Sequence, residues 1–320
     1  LIQVGGLGVT SVGAGLILAA GKKFSFKSRL MIKEGLNVDS FKGVVKLVKS
    51  VLLMTFCLEL VGALLSFIVF AQDYPPLHAL GNSVFHSIAA FNNSGFDVLG
   101  GLQNLIPYRN DVLLNLTTCG LIIFGGIGFL VILDVLKNRF HFRKLALHSK
   151  VVITTSAFLI VVGTVILKLT DDVTWLGAFF HSVSARTAGF STYPLGTFSN
   201  AGLFALTLLM FIGASPGSTG GGIKTSTFFT LVQSMRSALT KRHFGAFRRS
   251  LPRETLSKAY LITLLSLCVV CTGTLLVSAL EPHLSLMQVL FEVTSAFGTV
   301  GLSTGITPDL CDASKYIITA

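Results

Sequence analysis

Long apolar stretches alternate with short polar connectors along almost the whole chain. A helix of about 20 apolar residues is long enough to cross the hydrocarbon core of a bilayer. Stretches of that length lie at 46–71, 111–135, 150–169, 200–231 and 258–280, and a shorter, glycine-rich apolar stretch occupies 1–20. The pattern predicts an all-α, polytopic membrane protein.

A shorter apolar segment, ending in a run of Gly, Ser, Thr or Asn, lies between pairs of long stretches and occurs three times. The three segments align without gaps as FHSIAAFNNSGFD (85–97), FFHSVSARTAGFS (179–191) and FEVTSAFGTVGLS (291–303). Self-similarity at a fixed spacing is the signature of a repeated structural unit. The sequence therefore predicts tandem units, each made of an outgoing helix, a short segment and a returning helix.

The short segments are predicted to be re-entrant pore loops, at 77–97, 174–192 and 284–305. About 11 to 14 apolar residues cannot span a bilayer as a helix, and irregular backbone at membrane depth must line water or be buried in protein. The polar end of each segment can offer backbone carbonyls to a dehydrated cation, with glycine giving the backbone the required freedom. Three similar extracellular loops without a pore are the alternative. The predicted selectivity-filter residues, which would bind a dehydrated cation, are Asn93, Ser94, Gly95 and Phe96; Thr187, Ala188, Gly189 and Phe190; and Thr299, Val300, Gly301 and Leu302.

A second repeated feature extends the units. GGIGF begins at Gly125, GGGIK begins at Gly220, and a similar QVGGLG opens the chain. The first two follow the filter glycine of their own unit at nearly equal spacing. On this basis 1–20 is the inner helix of unit one, 46–135 is unit two, 148–236 is unit three, and 256–320 is unit four without its inner helix. We expect the chain to be a fragment of four units around a pseudo-fourfold pore.

Basic residues are concentrated in three connectors, although the net charge of +11 at first suggests nucleic acid. Twenty of the 25 Lys and Arg residues lie in 21–49, 136–150 and 236–258. The positive-inside rule predicts that these connectors are cytoplasmic. A basic cytoplasmic surface suits anionic membrane lipid or an acidic protein partner, so no nucleic-acid partner is predicted.

The stretch GASPGSTGGGIKTS (213–226) is predicted to break the third returning helix, because it contains Pro216 and five glycines. One interpretation is a nucleotide-binding loop, but Ile223 interrupts the phosphate-loop motif before Lys224 and no strand precedes it. A helix that is merely kinked is another. The favoured interpretation is an intramembrane loop below the filter that obstructs the ion path. Its predicted gate residues are Gly213, Ser215, Pro216, Gly217, Ser218, Thr219, Gly220, Gly221, Gly222 and Lys224.

Two isolated charges flank the predicted filter. Arg186 would repel a cation, so we expect it to point away and anchor the pore helix or filter backbone. Glu292 is open to two interpretations, attraction of cations or a structural hydrogen bond. No His, Cys or acidic spacing indicates a resident metal or an acid–base pair. The chain is therefore predicted not to be an enzyme and to bind no cofactor.

With these motifs, the chain resembles the ion-translocating membrane subunits of the Trk/Ktr/HKT superfamily, bacterial Ktr/Trk type. Thr299-Val300-Gly301 is similar to the start of the TVGYG potassium filter, and FIGASPGSTGGGIKTST (211–227) resembles the third-unit loop of the Ktr type. The resemblance implies that potassium is the transported substrate and binds at the predicted filter residues. The resemblance implies four units around one pore, a homodimer in the bacterial plasma membrane, and the 213–224 loop as gate. It also implies a cytoplasmic nucleotide-binding regulatory ring of the RCK/KTN type, docked on 21–49 and 236–258.

The function predicted from the sequence is potassium uptake through a gated pore, with sodium as a second candidate ion. The alternative is a secondary cation transporter with a broken-helix site near the middle of the membrane. Repeats of such transporters usually form inverted halves, whereas the repeats of this chain share one orientation.

Overall fold

The computed structural model describes residues 1–8, 44–101, 103–240, 245–247, 249–250 and 252–319. Its first helices are α1 (Ile2–Leu7), α2 (Val44–Asp73), α3 (Pro76–Phe91), α4 (Val112–Ile127), α5 (Phe129–Lys137) and α6 (Leu147–Thr170). The remaining helices are α7 (Trp175–Ser184), α8 (Asn200–Phe211), α9 (Thr225–Thr240), α10 (Arg253–Leu280), α11 (Leu286–Phe297) and α12 (Asp312–Thr319). Two-residue strands β1 (Gly245–Ala246) and β2 (Arg249–Ser250) pair antiparallel within a basic connector.

Within the described residues, three helices are long and apolar enough to cross a membrane: Lys46–Asp73, Leu147–Thr170 and Glu254–Leu280. A fourth span is added if α4 and α5, which meet at 96°, are counted as one. Large apolar side chains remain exposed along all three, among them Phe56, Phe158 and Leu264. Exposed apolar faces of this extent suit contact with lipid acyl chains.

A short helix follows each long one, and its first turn is stabilised by the local sequence. Pro76 occupies the first turn of α3, where its missing N–H costs nothing. The hydroxyl of Thr174 accepts a hydrogen bond from Gly177 N at 3.1 Å at the start of α7. Ser285 and Gln288 form a reciprocal capping box at the start of α11. We call α3, α7 and α11 the pore helices, after their predicted role.

Each of the first two pore helices is joined to the outer helix of its unit by the same contact. Ser87 Oγ donates to the Glu59 carbonyl at 2.6 Å, and Ser182 Oγ donates to the Ile160 carbonyl at 2.8 Å. A glycine lies three residues further along each outer helix. In unit three this is Gly163, where a Cβ would overlap the Ser182 hydroxyl. The absence of a side chain therefore allows the two helices to approach closely.

The inner helix of each unit packs against the pore helix of the next unit. Helix α1 contacts α3, α4 contacts α7, and α8 contacts α11. Each pore helix is therefore packed against the inner helix of the unit that precedes it in the chain. This succession brings the polar ends of the three short segments toward one place.

An acidic residue joins the outer and inner helices in units three and four. Asp171, at the end of α6, accepts a hydrogen bond from Ser199 N at 2.6 Å, directly before α8. Glu281, at the end of α10, accepts one from Cys311 N at 2.7 Å, directly before α12. The carboxylates satisfy N–H groups that a helix start leaves without an intrahelical partner.

Two helices of the structure differ from the pattern of apolar stretches. The stretch 111–135 is not one helix, because it breaks at Gly128, whose φ of 100° is a left-handed conformation. The inner helix of unit four is not wholly missing, since α12 begins after the fourth short segment. Of the predicted inner helix 1–20, residues 1–8 are described and 9–20 lie outside the described residues. Most of connector 21–49 lies outside them as well.

Candidate functional site

Three glycines from three different units lie against one another. A Cβ at Gly95 would be 2.8 Å from the Ala188 carbonyl oxygen and 2.9 Å from Gly189 Cα. A Cβ at Gly189 would overlap the Val300 carbonyl oxygen, and one at Gly301 would be 3.9 Å from Gly189 Cα. The segments 93–96, 187–190 and 299–302, called the filter segments after their predicted role, therefore converge.

The filter segments share an unusual backbone conformation. Each contains two left-handed residues separated by one position, the second being the glycine: Asn93 (φ 51°) and Gly95 (69°), Thr187 (76°) and Gly189 (80°), and Thr299 (52°) and Gly301 (88°). A non-glycine residue held in that region costs of order 1–3 kcal/mol, and such residues cluster at functional sites. The same strain at the same step of three segments indicates a shared function.

The end of each pore helix holds the start of its filter segment. Ser94 N donates to the Ala89 carbonyl at 3.0 Å, and Val300 N donates to the Ser295 carbonyl at 2.8 Å. In unit three, Ala188 N donates to the Ser184 carbonyl at 2.9 Å. The partly negative carboxyl ends of the pore helices therefore lie beside the filter segments, where they favour a cation.

The side chains of the filter segments mostly pack inward. Asn93 Nδ2 donates to Thr187 Oγ1 at 3.2 Å, which joins the segments of units two and three. The Phe190 and Leu302 side chains are buried, whereas Phe96 is 61% exposed. The Phe190 carbonyl accepts a hydrogen bond from Ser184 Oγ, so this oxygen already has a protein partner. The predicted fourth position therefore differs from unit to unit.

The stretch 213–224, which we call the glycine loop, lies directly against all three short segments. A Cβ at Gly220 would overlap the Thr187 hydroxyl, and one at Gly221 would overlap the Thr299 hydroxyl. Thr219 Oγ1 donates to the Phe91 carbonyl at 3.3 Å. Any larger residue at these two glycine positions would push the loop away from the filter segments.

The glycine loop is also bonded into the break between α4 and α5. Ser215 N donates to the Gly126 carbonyl at 3.0 Å, and Thr219 N donates to the Gly125 carbonyl at 3.2 Å. In the other direction, Phe129 N donates to the Gly217 carbonyl at 3.0 Å. The loop of unit three thus satisfies backbone groups that the broken helix of unit two leaves free.

Bonds within the glycine loop give it a defined shape. Lys224 Nζ donates to the Gly220 carbonyl at 2.6 Å, and Ser218 Oγ donates to the Ser215 carbonyl at 2.6 Å. Gly213 lies against the backbone of Gly221 and Gly222. Left-handed φ values of 67° at Gly217 and Gly222 allow the backbone of the loop to turn back on itself. Pro216 lies beside Gly128, the residue at which the helix of unit two breaks. A nucleotide-binding phosphate loop follows a β-strand, and its lysine contacts the phosphates. The glycine loop instead joins helices α8 and α9, and Lys224 donates to a carbonyl of the loop itself, so it does not match that motif.

Comparison with known proteins agrees with this architecture. The sequence profile of TrkH, described as a cation transport protein, matches residues 1–320. The chain belongs to the TrkH family. The family resemblance predicted from the sequence is therefore confirmed, as is the prediction of a helical, multi-pass membrane protein of the bacterial cell membrane.

Curated TrkH-family relatives cover nearly all of the chain. It is 36% identical over 332 residues to "Ktr system potassium uptake protein B" of Bacillus subtilis, covering 99% of this chain and 74% of that protein. It is also 36% identical over 334 residues to "Potassium/sodium uptake protein NtpJ" of Enterococcus hirae, with coverages of 99% and 73%. These proteins are named as transport proteins and not as enzymes.

A solved structure supports the TrkH-family fold. The potassium transporter TrkH from Vibrio parahaemolyticus superposes with a TM-score of 0.70 at 17% sequence identity, over 91% of this chain. The chain spans 64% of the length of that solved chain. At this identity the similarity bears on the fold alone.

The two charges near the filter segments of this TrkH-family chain are held by hydrogen bonds. Glu292 Oε1 accepts from Ser303 Oγ and Thr304 N, each at 2.8 Å, and Glu292 Oε2 accepts from Thr307 Oγ1 at 2.8 Å. Arg186 Nη2 donates to Ser156 Oγ on α6 at 3.1 Å. The carboxylate of Glu292 therefore orders the chain that follows the filter segment of unit four. Arg186 connects the filter segment of unit three to α6, the outer helix of that unit.

Asn104 is a contact residue that the sequence reasoning missed. It lies in the connector between α3 and α4, and its Nδ2 donates to the carbonyl of Gly95 at 3.2 Å. Its Oδ1 accepts from Ser191 N at 3.1 Å, 87 positions further along the chain. No repeat or motif marks this residue, because its partners belong to two different units.

Proposed function

We propose that this chain is the ion-conducting subunit of a bacterial potassium uptake system, and that sodium is a second permeant ion. The observation that carries the proposal is the convergence of Gly95, Gly189 and Gly301 in one repeated left-handed conformation. Relatives named for potassium and for potassium/sodium uptake support the choice of ion. Convergence of like segments on one point favours a pore over a secondary transporter.

In this proposal the filter segments replace the hydration shell of the ion with backbone carbonyl oxygens. The pore-helix carboxyl ends add a favourable field for a monovalent cation. Each segment contributes a single glycine and not the Gly-Tyr-Gly of TVGYG. Fewer rings of carbonyl oxygens would discriminate less strongly between potassium and sodium.

We propose that the glycine loop is the gate. Its contacts with Thr187, Thr299 and the Phe91 carbonyl support a position across the inner end of the filter segments. Opening would require the loop to leave the break between α4 and α5, at the cost of three backbone hydrogen bonds. At about 0.5–1.5 kcal/mol net for each bond, the cost is on the order of a few kcal/mol, which suits a two-state switch.

The link to α5 offers a route for regulation. Helix α5 runs from the glycine loop into the basic connector 136–150, and Asp134 on α5 accepts a hydrogen bond from Ser149 Oγ on α6 at 2.6 Å. A protein bound at the cytoplasmic face could therefore move α5 and, with it, the glycine loop. Relatives named as parts of a "Ktr system" indicate a multi-component assembly. We propose that the partner is a nucleotide-binding ring of the RCK/KTN type, and that the subunit forms a homodimer.

The proposed function is tested in a bacterial strain that lacks its own potassium uptake systems. Expression of the full chain with its regulatory subunit should restore growth at low potassium and produce potassium currents in membrane patches. Currents should persist without a proton or sodium gradient, which separates a pore from a coupled transporter. A chain that reaches the membrane yet carries no potassium current would overturn the proposal.

A further inference from the structure

The side chain of Asn104 connects the filter segment of unit two to the residue that directly follows the filter segment of unit three. Its amide nitrogen donates to the Gly95 carbonyl of unit two, and its amide oxygen accepts from the backbone N–H of Ser191 in unit three. Leu105 N adds a bond to the Ser191 carbonyl at 3.1 Å, and the Leu105 side chain is buried. Asn104 is therefore held on both sides while it holds the Gly95 carbonyl.

The chemistry of this position calls for a carboxamide. Asn104 has a φ of 52°, a left-handed conformation that Asn, Asp and Gly tolerate better than other residues. Only Asn among these three carries both a donor and an acceptor on one rigid plane. A carboxylate would keep the bond from Ser191 N but would face the Gly95 carbonyl with an acceptor.

The contact gives the Gly95 carbonyl a hydrogen-bonding environment that differs from those of the Gly189 and Gly301 carbonyls. Across the parts of the chain that the structure describes, side-chain hydrogen bonds reach the Gly95 carbonyl but not those of Gly189 or Gly301. A donor on this oxygen fixes the Gly95–Phe96 peptide plane. It also draws electron density from an oxygen that would otherwise be free to bind an ion.

We propose that Asn104 is a positioning residue that sets cation selectivity by fixing the Gly95 carbonyl at the outer end of the filter. This inference rests on the proposed potassium pore. It predicts that selectivity depends on the donor of the Asn104 amide and not on the turn that the residue makes. The negative charge that Asn104→Asp introduces would concentrate potassium and sodium alike, so the permeability ratio isolates the positioning effect.

The test compares Asn104→Asp and Asn104→Gly with wild type in the full chain, by reversal potentials under bi-ionic potassium and sodium. Both variants retain a residue that tolerates φ above zero, and both remove the donor. We expect each to lower the potassium-to-sodium permeability ratio by about three- to tenfold, the effect of one hydrogen bond. Asn110→Asp, at an exposed position of the same connector, places a similar charge nearby and should leave the ratio unchanged.

Two results would overturn the inference. Wild-type ratios in both Asn104 variants would mean that the residue only shapes the turn. An equal fall in Asn110→Asp would mean that surface charge, and not the amide, controls the ratio. Either result, with a conducting wild type, leaves the pore in place. A wild type without potassium current would instead reject the proposed function itself.

Discussion

The carbonyl oxygen of Val300 occupies the space that a Cβ on Gly189 would need. The two residues belong to neighbouring filter segments, more than 100 positions apart in the chain. Glycine at this position is therefore required twice, by its φ of 80° and by the approach of a second backbone. The packing of the filter segments therefore depends on direct contact between the backbones of neighbouring segments.

Gly189→Ala should abolish potassium uptake, because the added methyl group forces the filter segments of units three and four apart. We expect a fall of at least about tenfold at equal membrane abundance, the equivalent of ~1.4 kcal/mol. Gly305→Ala is the matched control, since Gly305 has a φ of 97° but open space at its Cβ position. It shares the backbone strain without the overlap, and should keep most of the uptake. Equal losses in both variants would argue that strain alone is responsible.

The sequence predicted much of this site but not all of its contacts. The lengths of the apolar stretches and the gapless alignment of the three short segments predict the short helices and the polar runs that follow them, because both signals are local. The break at Gly128 could have been predicted from the same repeat, since GGIGF corresponds to GGGIK, which lies within the break of unit three. The Asn104 contact could not, because its partners lie in separate units and only the fold brings them together.

Lys224→Met should raise basal conductance. The lysine donates to the Gly220 carbonyl within the glycine loop, and a hydrogen bond from a charged donor contributes about 1.5–3 kcal/mol. Because Lys224 is half-buried, we expect part of that value, an increase of about three- to tenfold in current without activating partner. Lys168→Met removes a similar bond, from Lys168 Nζ to the Val173 carbonyl at 2.9 Å, at the connection between α6 and α7. An unchanged or smaller basal current in Lys224→Met, relative to this control, would remove Lys224 from the gate.

Substitutions of Glu292 separate its two interpretations. The carboxylate accepts hydrogen bonds from Ser303, Thr304 and Thr307, so Glu292→Gln should retain an acceptor and most of the uptake. Glu292→Ala should lose uptake by about tenfold, because it leaves the buried Thr304 N–H unpaired, at a cost of about 1–3 kcal/mol. The measurement is the potassium KM and maximal uptake rate of each variant. A raised KM in Glu292→Gln, as large as in Glu292→Ala, would show instead that the negative charge attracts the ion.

The central claim is that the filter segments bind the ion with their backbone, and Gly301 tests it most directly. Its Cβ position is 3.9 Å from Gly189 Cα, which is ordinary contact, so a serine side chain has room there. The φ of 88° strains that serine, and Gly305→Ser, at a φ of 97°, carries the same strain. The decisive measurement is the potassium-to-sodium permeability ratio of Gly301→Ser against Gly305→Ser, from reversal potentials of the full chain. The account predicts a fall of about fivefold in Gly301→Ser alone, equivalent to ~1 kcal/mol. A conducting Gly301→Ser variant with the wild-type ratio would contradict it.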